Sequence, residues 1–159
     1  MPEVIKSLLE HSEPQLKTTS EVGKIGEETA ANYLIGNGFE LVAANFKVPV
    51  GRNRKGVAVT AEIDLIAIDK ETLCFIEVKT RQSELFSTAL SAVDIRKQRQ
   101  ITRAARIYRK TFNITDITHR YDVITVVLAK NKAPQLEHFK GFWSESNFKK
   151  NIWIDELER

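Results

Sequence analysis

The chain has 159 residues, 42% of them hydrophobic, and a formal net charge of +3 from 24 Lys and Arg against 21 Asp and Glu. That length and composition suit one compact domain with a real core and exclude wholesale disorder. The single cysteine, Cys74, excludes an internal disulfide and a cysteine-based zinc cage, no apolar run reaches the length of a membrane span, and the N-terminus does not read as a signal peptide, so a soluble cytoplasmic protein is expected.

In chain order, residues 1–20 read as a polar arm, in which Val4, Ile5, Leu8 and Leu9 have the spacing of a short docking helix. A helix is expected over Ser20–Ile35, with Ser20 as its N-cap and Gly36-Asn37-Gly38 as its stop. Gly23 and Gly26 each cost about 1 kcal/mol in a helix interior, so they predict a close approach of helix to sheet. Glu27 lies among these small residues. It is either an exposed helical glutamate beside Glu28 or a carboxylate on a packed face that needs a partner. Phe39–Phe46 reads as a strand. Lys47–Thr60 contains Gly51-Arg52-Asn53-Arg54-Lys55-Gly56, expected as a mobile cationic loop. Such a loop is either a hairpin tip that reaches a phosphate backbone or a tip kept soluble by charge.

The next stretch is the most informative. Glu62–Ile68 and Leu73–Lys79 read as strands joined by the polar turn Asp69-Lys70-Glu71-Thr72. A symmetric hairpin pairs Ile68 with Leu73, Ile66 with Phe75, Asp64 with Glu77 and Glu62 with Lys79. Carboxylates facing each other across a sheet repel by about 0.2–1 kcal/mol, more if dry. A divalent metal ion would offset that repulsion, and Lys79 shares a face with Glu77. Ile63, Leu65, Ala67, Cys74, Ile76 and Val78 are expected on the opposite face. Ile66, Ile68, Leu73 and Phe75 join the acid face nearer the turn. Both faces are then apolar at the turn and only one open end is charged, the pattern of a pocket at the end of a core strand. The competing reading is a solvated patch of cross-strand ion pairs. Cys74, between apolar neighbours, reads as a small buried hydrophobe.

After Lys79-Thr80-Arg81, a long helix is expected over Ala89–Lys110, with Asp94 capping or kinking it. Val93, Lys97, Ile101, Ala104, Ala105 and Tyr108 form one stripe. Lys97 on that stripe either snorkels to solvent or points into the pocket of Lys79. Arg96, Arg99, Arg103, Arg106, Arg109 and Lys110 crowd the remaining surface with almost no acids to balance them, which suits a nucleic-acid-facing surface. Tyr121–Leu128 reads as a strand whose Asp122 bonds backbone or a basic side chain. Asn131-Lys132 marks a turn before a short strand, Gln135–Phe139. Trp143, Phe148 and Trp153 are read as packing the terminal segment, so that a tail, residues 144–159, follows a body of residues 21–143.

Several of these motifs, in order, carry a resemblance. They are Gly23-Lys-Ile-Gly26-Glu27-Glu-Thr-Ala30, Glu62-Ile-Asp64-Leu-Ile-Ala67, Phe75-Ile-Glu77-Val-Lys79-Thr-Arg81, Ala92-Val93-Asp94 with Lys97, and Arg120-Tyr-Asp122-Val. From about Gly23 to Phe142 the chain resembles the YraN family, small bacterial proteins similar to archaeal Holliday junction resolvases and to the wider PD-(D/E)XK nucleases. The resemblance implies an α/β, restriction-endonuclease-like, three-layer fold: a central mixed β-sheet flanked by helices. It implies Mg²⁺ or Mn²⁺ held by Asp64, Glu77 and Glu27 near the Val78 carbonyl, with Lys79 completing the catalytic set. Arg81, Lys97 and Glu62 would surround that set. Two features depart from the family: Ala61 stands where glycine is usual, and the basic segment Val48–Thr60 is longer than in most members.

The expectation is therefore a metal-dependent endonuclease acting on DNA, branched or otherwise non-B-form, with Arg52, Arg54, Lys55, Arg81, Arg96 and Lys97 on the nucleic acid. Cutting both sides of a junction would require a homodimer. The alternatives are a non-catalytic nucleic-acid-binding or recombination accessory protein on the same fold, and a scaffold whose partner docks on the arms.

Overall fold

A computed structural model describes residues 17–82 and 91–148. The expected helix around Val4–Leu9, the first two residues of the helix expected from Ala89, and Trp153 lie outside the described residues; the rest of that expected helix is not continuous, because the chain leaves helical conformation over 92–94 and a new helix starts at Ile95.

The first helix, α1, runs Thr19–Gly36. Its N-cap is Thr18, not Ser20. Thr18 Oγ1 accepts from Glu21 N at 3.2 Å while Glu21 Oε2 accepts from Thr18 N at 2.8 Å, a reciprocal box that satisfies two orphan helix-end donors. A cap at Ser20 would have placed Gly23, with no side chain, in the reciprocal position. Of the two helix glycines, Gly26 marks the close approach: a β-carbon there would overlap Thr80 Oγ1, whereas one at Gly23 meets open space.

The five strands are β1 Glu40–Arg52, β2 Ala58–Asp69, β3 Thr72–Arg81, β4 His119–Val127 and β5 Gln135–Trp143, in that spatial order. Only β3 and β4 are parallel. They are joined through the second described helix, α2, Ile95–Thr111, as a parallel pair needs a crossover. Asp94 caps this helix, its side chain accepting from Lys97 N at 2.9 Å. The expected mixed sheet flanked by helices is what forms.

Strands β1 and β2 are longer than expected and make one extended hairpin, paired out to Arg52 and Ala58. The alternation Phe46, Val48, Val50 continues the buried face well into the stretch expected as a loop. The basic tip is also not free: Asn53 Oδ1 accepts from Lys55 N at 2.9 Å and Val57 N at 3.0 Å, and Arg52 Nη1 donates to Gly56 O at 2.7 Å. β5 likewise runs on to Trp143.

The sheet separates two apolar layers. On one side Ile63, Ile66, Phe75, Tyr121 and Val123 pack with Ile101, Ala104, Ala105 and Tyr108 of α2. Trp143 and Phe148 complete this layer. On the other side Leu65, Ala67, Cys74, Ile76, Val78, Ile124 and Val126 pack with Ala30 and Leu34 of α1. Cys74 is fully buried here, and burial pushes its thiol up to about 11. Ile63 thus lies on the α2 side rather than with Leu65. Two residues apart on one strand, they occupy opposite layers, so the regular alternation of β2 breaks at Asp64. The partner strand breaks at the same level: Ala43 and Phe46, three apart, share the α2 layer, and Asn45 between them has φ +53°. Asparagine tolerates that left-handed conformation better than most residues.

Candidate active site

The break in β2 builds the site. Pairing of β2 with β3 follows the expected register, Ile68 with Leu73 and Ile66 with Phe75, as far as Leu65 with Ile76. Described pairing stops there, so the expected Asp64–Glu77 and Glu62–Lys79 rungs are absent. Glu62 continues opposite Lys47 of β1 instead, with 3.9 Å between Lys47 Nζ and Glu62 Oε2. Asp64 turns its carboxylate toward β3, where Oδ2 accepts from the Val78 backbone N–H at 2.8 Å. A side chain thereby replaces a ladder carbonyl, and the strands part where the acids lie.

Glu77 is the deepest member, its side chain 2% exposed. Its Oε1 is 2.9 Å from Lys79 Nζ and 3.5 Å from Lys97 Nζ. Its Oε2 is buried and receives no N–H, and the Asp64 carboxyl lies within hydrogen-bond reach of Glu77. Lys97 therefore reaches the pocket of Lys79, one of its two expected positions. Asp64 is half-buried. Burial, then the charge of Glu77, push it up to about 8 against the opposing Val78 N–H bond. Glu27, half-buried on α1, is also raised, first by burial and then by the charges of Glu62 and Glu77, with Lys47 opposing. Glu27, Glu62, Asp64 and Glu77 thus act on one another electrostatically although they come from three elements.

Asn45 is a site residue that sequence reasoning missed. With its amide turned to donate, Nδ2 lies 3.1 Å from Glu27 Oε2 and 3.1 Å from Glu62 Oε1. One neutral donor at the strand break thus tethers two acids. The only signal for it in the sequence was an asparagine inside an apolar strand.

The basic candidates do not gather at one point. Lys97 joins Glu77. Arg52 and Arg96 line a groove of about 270 Å³ between the β1–β2 hairpin and α2, together with Arg99, Gln100 and Arg103. Arg54 and Lys55 lie exposed at the hairpin tip. Arg81 sits at the end of β3, its Nη1 donating to the Thr80 carbonyl at 3.0 Å.

The site offers oxygen donors suited to a hard divalent cation. The mutual repulsion of Asp64 and Glu77 is the strongest sign of fit, since a divalent ion between two buried acids would offset it. Among the described residues, no three acidic, histidine or cysteine side chains lie close enough together to hold a metal ion as they stand, so Glu27 would have to move toward Asp64 and Glu77 to join them. Lys79 and Lys97 instead supply the charge balance at Glu77.

A second polar cluster is structural. Asp122, fully buried, accepts from Arg120 Nε at 3.0 Å and Gly141 N at 2.9 Å, and its Oδ2 lies 2.9 Å from His138 Nε2. Burial raises its carboxyl, but His138, Arg120 and the Gly141 amide together hold it below the ordinary carboxylate range. These bonds tie β4 to β5.

The profile of a family described as Uncharacterised protein family UPF0102 matches residues 26–126. A UPF0102 protein of Chlorobium chlorochromatii is 40% identical over 134 residues, covering 80% of this chain and 95% of its own. A second, of Caldanaerobacter subterraneus, is 39% identical over 111 residues, covering 70% of this chain and 83% of its own. A solved structure described as "Crystal structure of SSO0001" aligns over 99% of this chain and 66% of that one, at a TM-score of 0.37 and 15% identity, too distant to carry fold or function across.

Proposed function

The chain belongs to the UPF0102 family, the YraN-like group that its motifs resemble, and from that premise we propose that it is a metal-dependent endonuclease hydrolysing phosphodiester bonds in DNA. One observation carries the proposal: buried Glu77 and the half-buried acid Asp64 are held within interaction distance despite their mutual repulsion, and Glu77 has two lysines on one oxygen. Two buried acids that repel one another call for a compensating charge, and a divalent ion supplies it. Asp64 and Glu77 would hold Mg²⁺ or Mn²⁺, with Glu27 completing the set through the Asn45-tethered corner. When bound, such an ion activates water and offsets charge on the phosphoryl oxygens.

The chain's own residues supply the rest. Val78 N–H fixes Asp64, and with it the spacing of the two acids. Lys79 and Lys97 are held at Glu77, so each places a positive charge where a phosphate would arrive. Charge preorganised in a partly buried site costs little reorganisation during reaction.

A junction or other branched DNA is the proposed substrate, and two sites cutting one junction would need a homodimer. No helix among the described residues is long and apolar enough to cross a membrane. The second reading, a nucleic-acid-binding protein on a nuclease-like fold, draws support from the lysines that balance Glu77 without a metal. Incubation with labelled junction, flap, single-stranded and blunt duplex DNA, in EDTA, Mg²⁺ or Mn²⁺, separates the two. Cutting that requires metal supports the enzyme; binding with no cutting of any substrate supports the second reading.

A further inference from the structure

Seven of the arginines among the described residues fall into two groups. Arg106 and Arg109 are paired with Glu145 at 3.1 Å each, and Arg120 with Asp69 at 2.8 Å and Asp122 at 3.0 Å. Arg52, Arg96, Arg99 and Arg103 are different: among the described residues none of them has a carboxylate partner. All four line the same groove. No acid occurs anywhere in α2 to balance three of them.

The groove has a definite form. One wall is helix α2, where Arg96, Arg99 and Arg103 recur at spacings of three and four, hence on one face. They span about 10 Å of helix axis. The other wall is the hairpin, with Arg52 and Asn53 beside Gly51, which has no side chain to narrow the opening, and with apolar Val50 and Val59. Arg99 is held against an aromatic face, its guanidinium 5.8 Å from the Phe148 ring centre, which leaves its N–H groups without an anion. Lys97, which holds Glu77, stands on the same first turn of α2 as Arg96, so one helix end serves both the groove and the candidate active site.

We infer that this groove is the track for one strand of nucleic acid, taking the sugar–phosphate backbone of a single strand that leads to or from the site at Glu77. The inference rests on the reading of that site as one that takes phosphodiesters. A space of about 270 Å³ lies just below the range of small-ligand pockets and matches one nucleotide-sized unit. Guanidiniums bind phosphate oxygens through paired N–H groups, and the apolar surface gives sugars somewhere to lie. The substrate class is then DNA with a single-stranded segment, such as a flap or an opened junction arm, rather than plain duplex.

The test is fluorescence anisotropy in EDTA with a labelled single strand, a flap and a blunt duplex. The variants are Arg99→Gln with Arg103→Gln, the conservative Arg99→Lys with Arg103→Lys, and Lys24→Gln with Lys130→Gln as an equal charge change at exposed positions outside the groove. The groove Gln variant should lose about tenfold affinity per arginine for the single strand and the flap. Its salt dependence on the single strand should flatten by about 0.7 for each phosphate no longer neutralised. The Lys variant should keep most of the salt slope, and the outside variant should bind nearly as wild type. The duplex should respond much less than the single strand. Equal losses in the groove and outside variants, equal losses on duplex and single strand, or no binding by wild type would each overturn the inference. Cleavage takes no part in this assay. Groove-dependent binding without cutting would keep the inference and remove the nuclease; cutting with binding unmoved by the groove variant would do the reverse.

Discussion

Asp64 Oδ2 and the backbone N–H of Val78 are joined by a 2.8 Å hydrogen bond. Val78 lies between Glu77 and Lys79, so one bond fixes the acid of β2 against both functional residues of β3. It also occupies the place where a ladder bond would have held the strands together. The opening of the sheet and the assembly of the site are one event.

This relationship makes Asp64→Asn informative. The amide oxygen still accepts from Val78, and the amide N–H₂ gains Glu77 as an acceptor, so the geometry survives while one charge goes. At pH 9 Asp64, pushed up to about 8, carries its charge beside Glu77. The variant should then melt above wild type in EDTA, yet cut no DNA. Differential scanning calorimetry and the cleavage assay, run on the same sample, check both parts. A lower melting temperature would mean that the two acids do not strain the fold.

Lys79 and Lys97 share one oxygen of Glu77. Removing either leaves the other in place; removing both leaves a buried carboxylate without a counter-ion, which typically costs about 3–5 kcal/mol. Urea denaturation of Lys79→Met, Lys97→Met and the double variant should show a coupling of about 1 kcal/mol or more beyond additivity. Strict additivity would show that the two lysines act independently.

Gly26→Ala should bring a β-carbon into Thr80 Oγ1 and push α1 off β3. Overpacking of this kind costs about 1–3 kcal/mol, and the neighbouring Glu27 would be displaced with the helix. Stability and cleavage should fall together, with partial recovery on adding Thr80→Ala. Gly23→Ala, facing open space, should be neutral or slightly stabilising.

Much of this was legible in the residues. The β2–β3 register from the turn as far as Leu65 and Ile76 followed from apolar alternation and a polar turn, and the buried stripe Ile101, Ala104, Ala105 and Tyr108 of α2 followed from helical spacing. What the residues did not reveal arises from tertiary context. A strand that changes face at Asp64 violates the period-two rule on which facing pairs were assigned, and the cause lies in a second strand, at Asn45. The extended hairpin was hidden because Lys47, Pro49 and the Gly51-Arg52 pair interrupt an alternation that Phe46, Val48 and Val50 nevertheless maintain. The Arg52–Arg103 groove joins residues far apart in sequence, so no local pattern could announce it.

The Glu145 carboxylate gives a pH prediction. Tyr121 Oη donates to it at 2.6 Å, Arg106 and Arg109 at 3.1 Å, and His119 Nε2 lies 3.1 Å away. Burial pushes this carboxyl up, but the Tyr121 and His119 bonds and the Arg106 charge outweigh it and hold the group below its ordinary 4.5. A depressed acid stabilises the fold fully above its unfolded value and loses that contribution as pH falls through the folded one. Glu145→Gln should therefore lower the melting temperature at pH 7, by about 2–4 °C per kcal/mol lost, and the gap from wild type should close as pH drops below 4.5. A gap independent of pH would show that the charge of Glu145 is not what holds the terminal turn.

Whether Asp64 and Glu77 form a metal-dependent cleavage site is decided by comparing wild type with Glu77→Gln on labelled junction and flap DNA in Mg²⁺. Glutamine keeps the size and most hydrogen-bonding capacity of the side chain and removes the charge that would hold the ion. Wild type should cut, EDTA should abolish the cutting, and Glu77→Gln should lose at least about 100-fold in rate with DNA binding retained. Cutting at wild-type rates by Glu77→Gln, or by wild type in EDTA, would contradict a metal site at these acids.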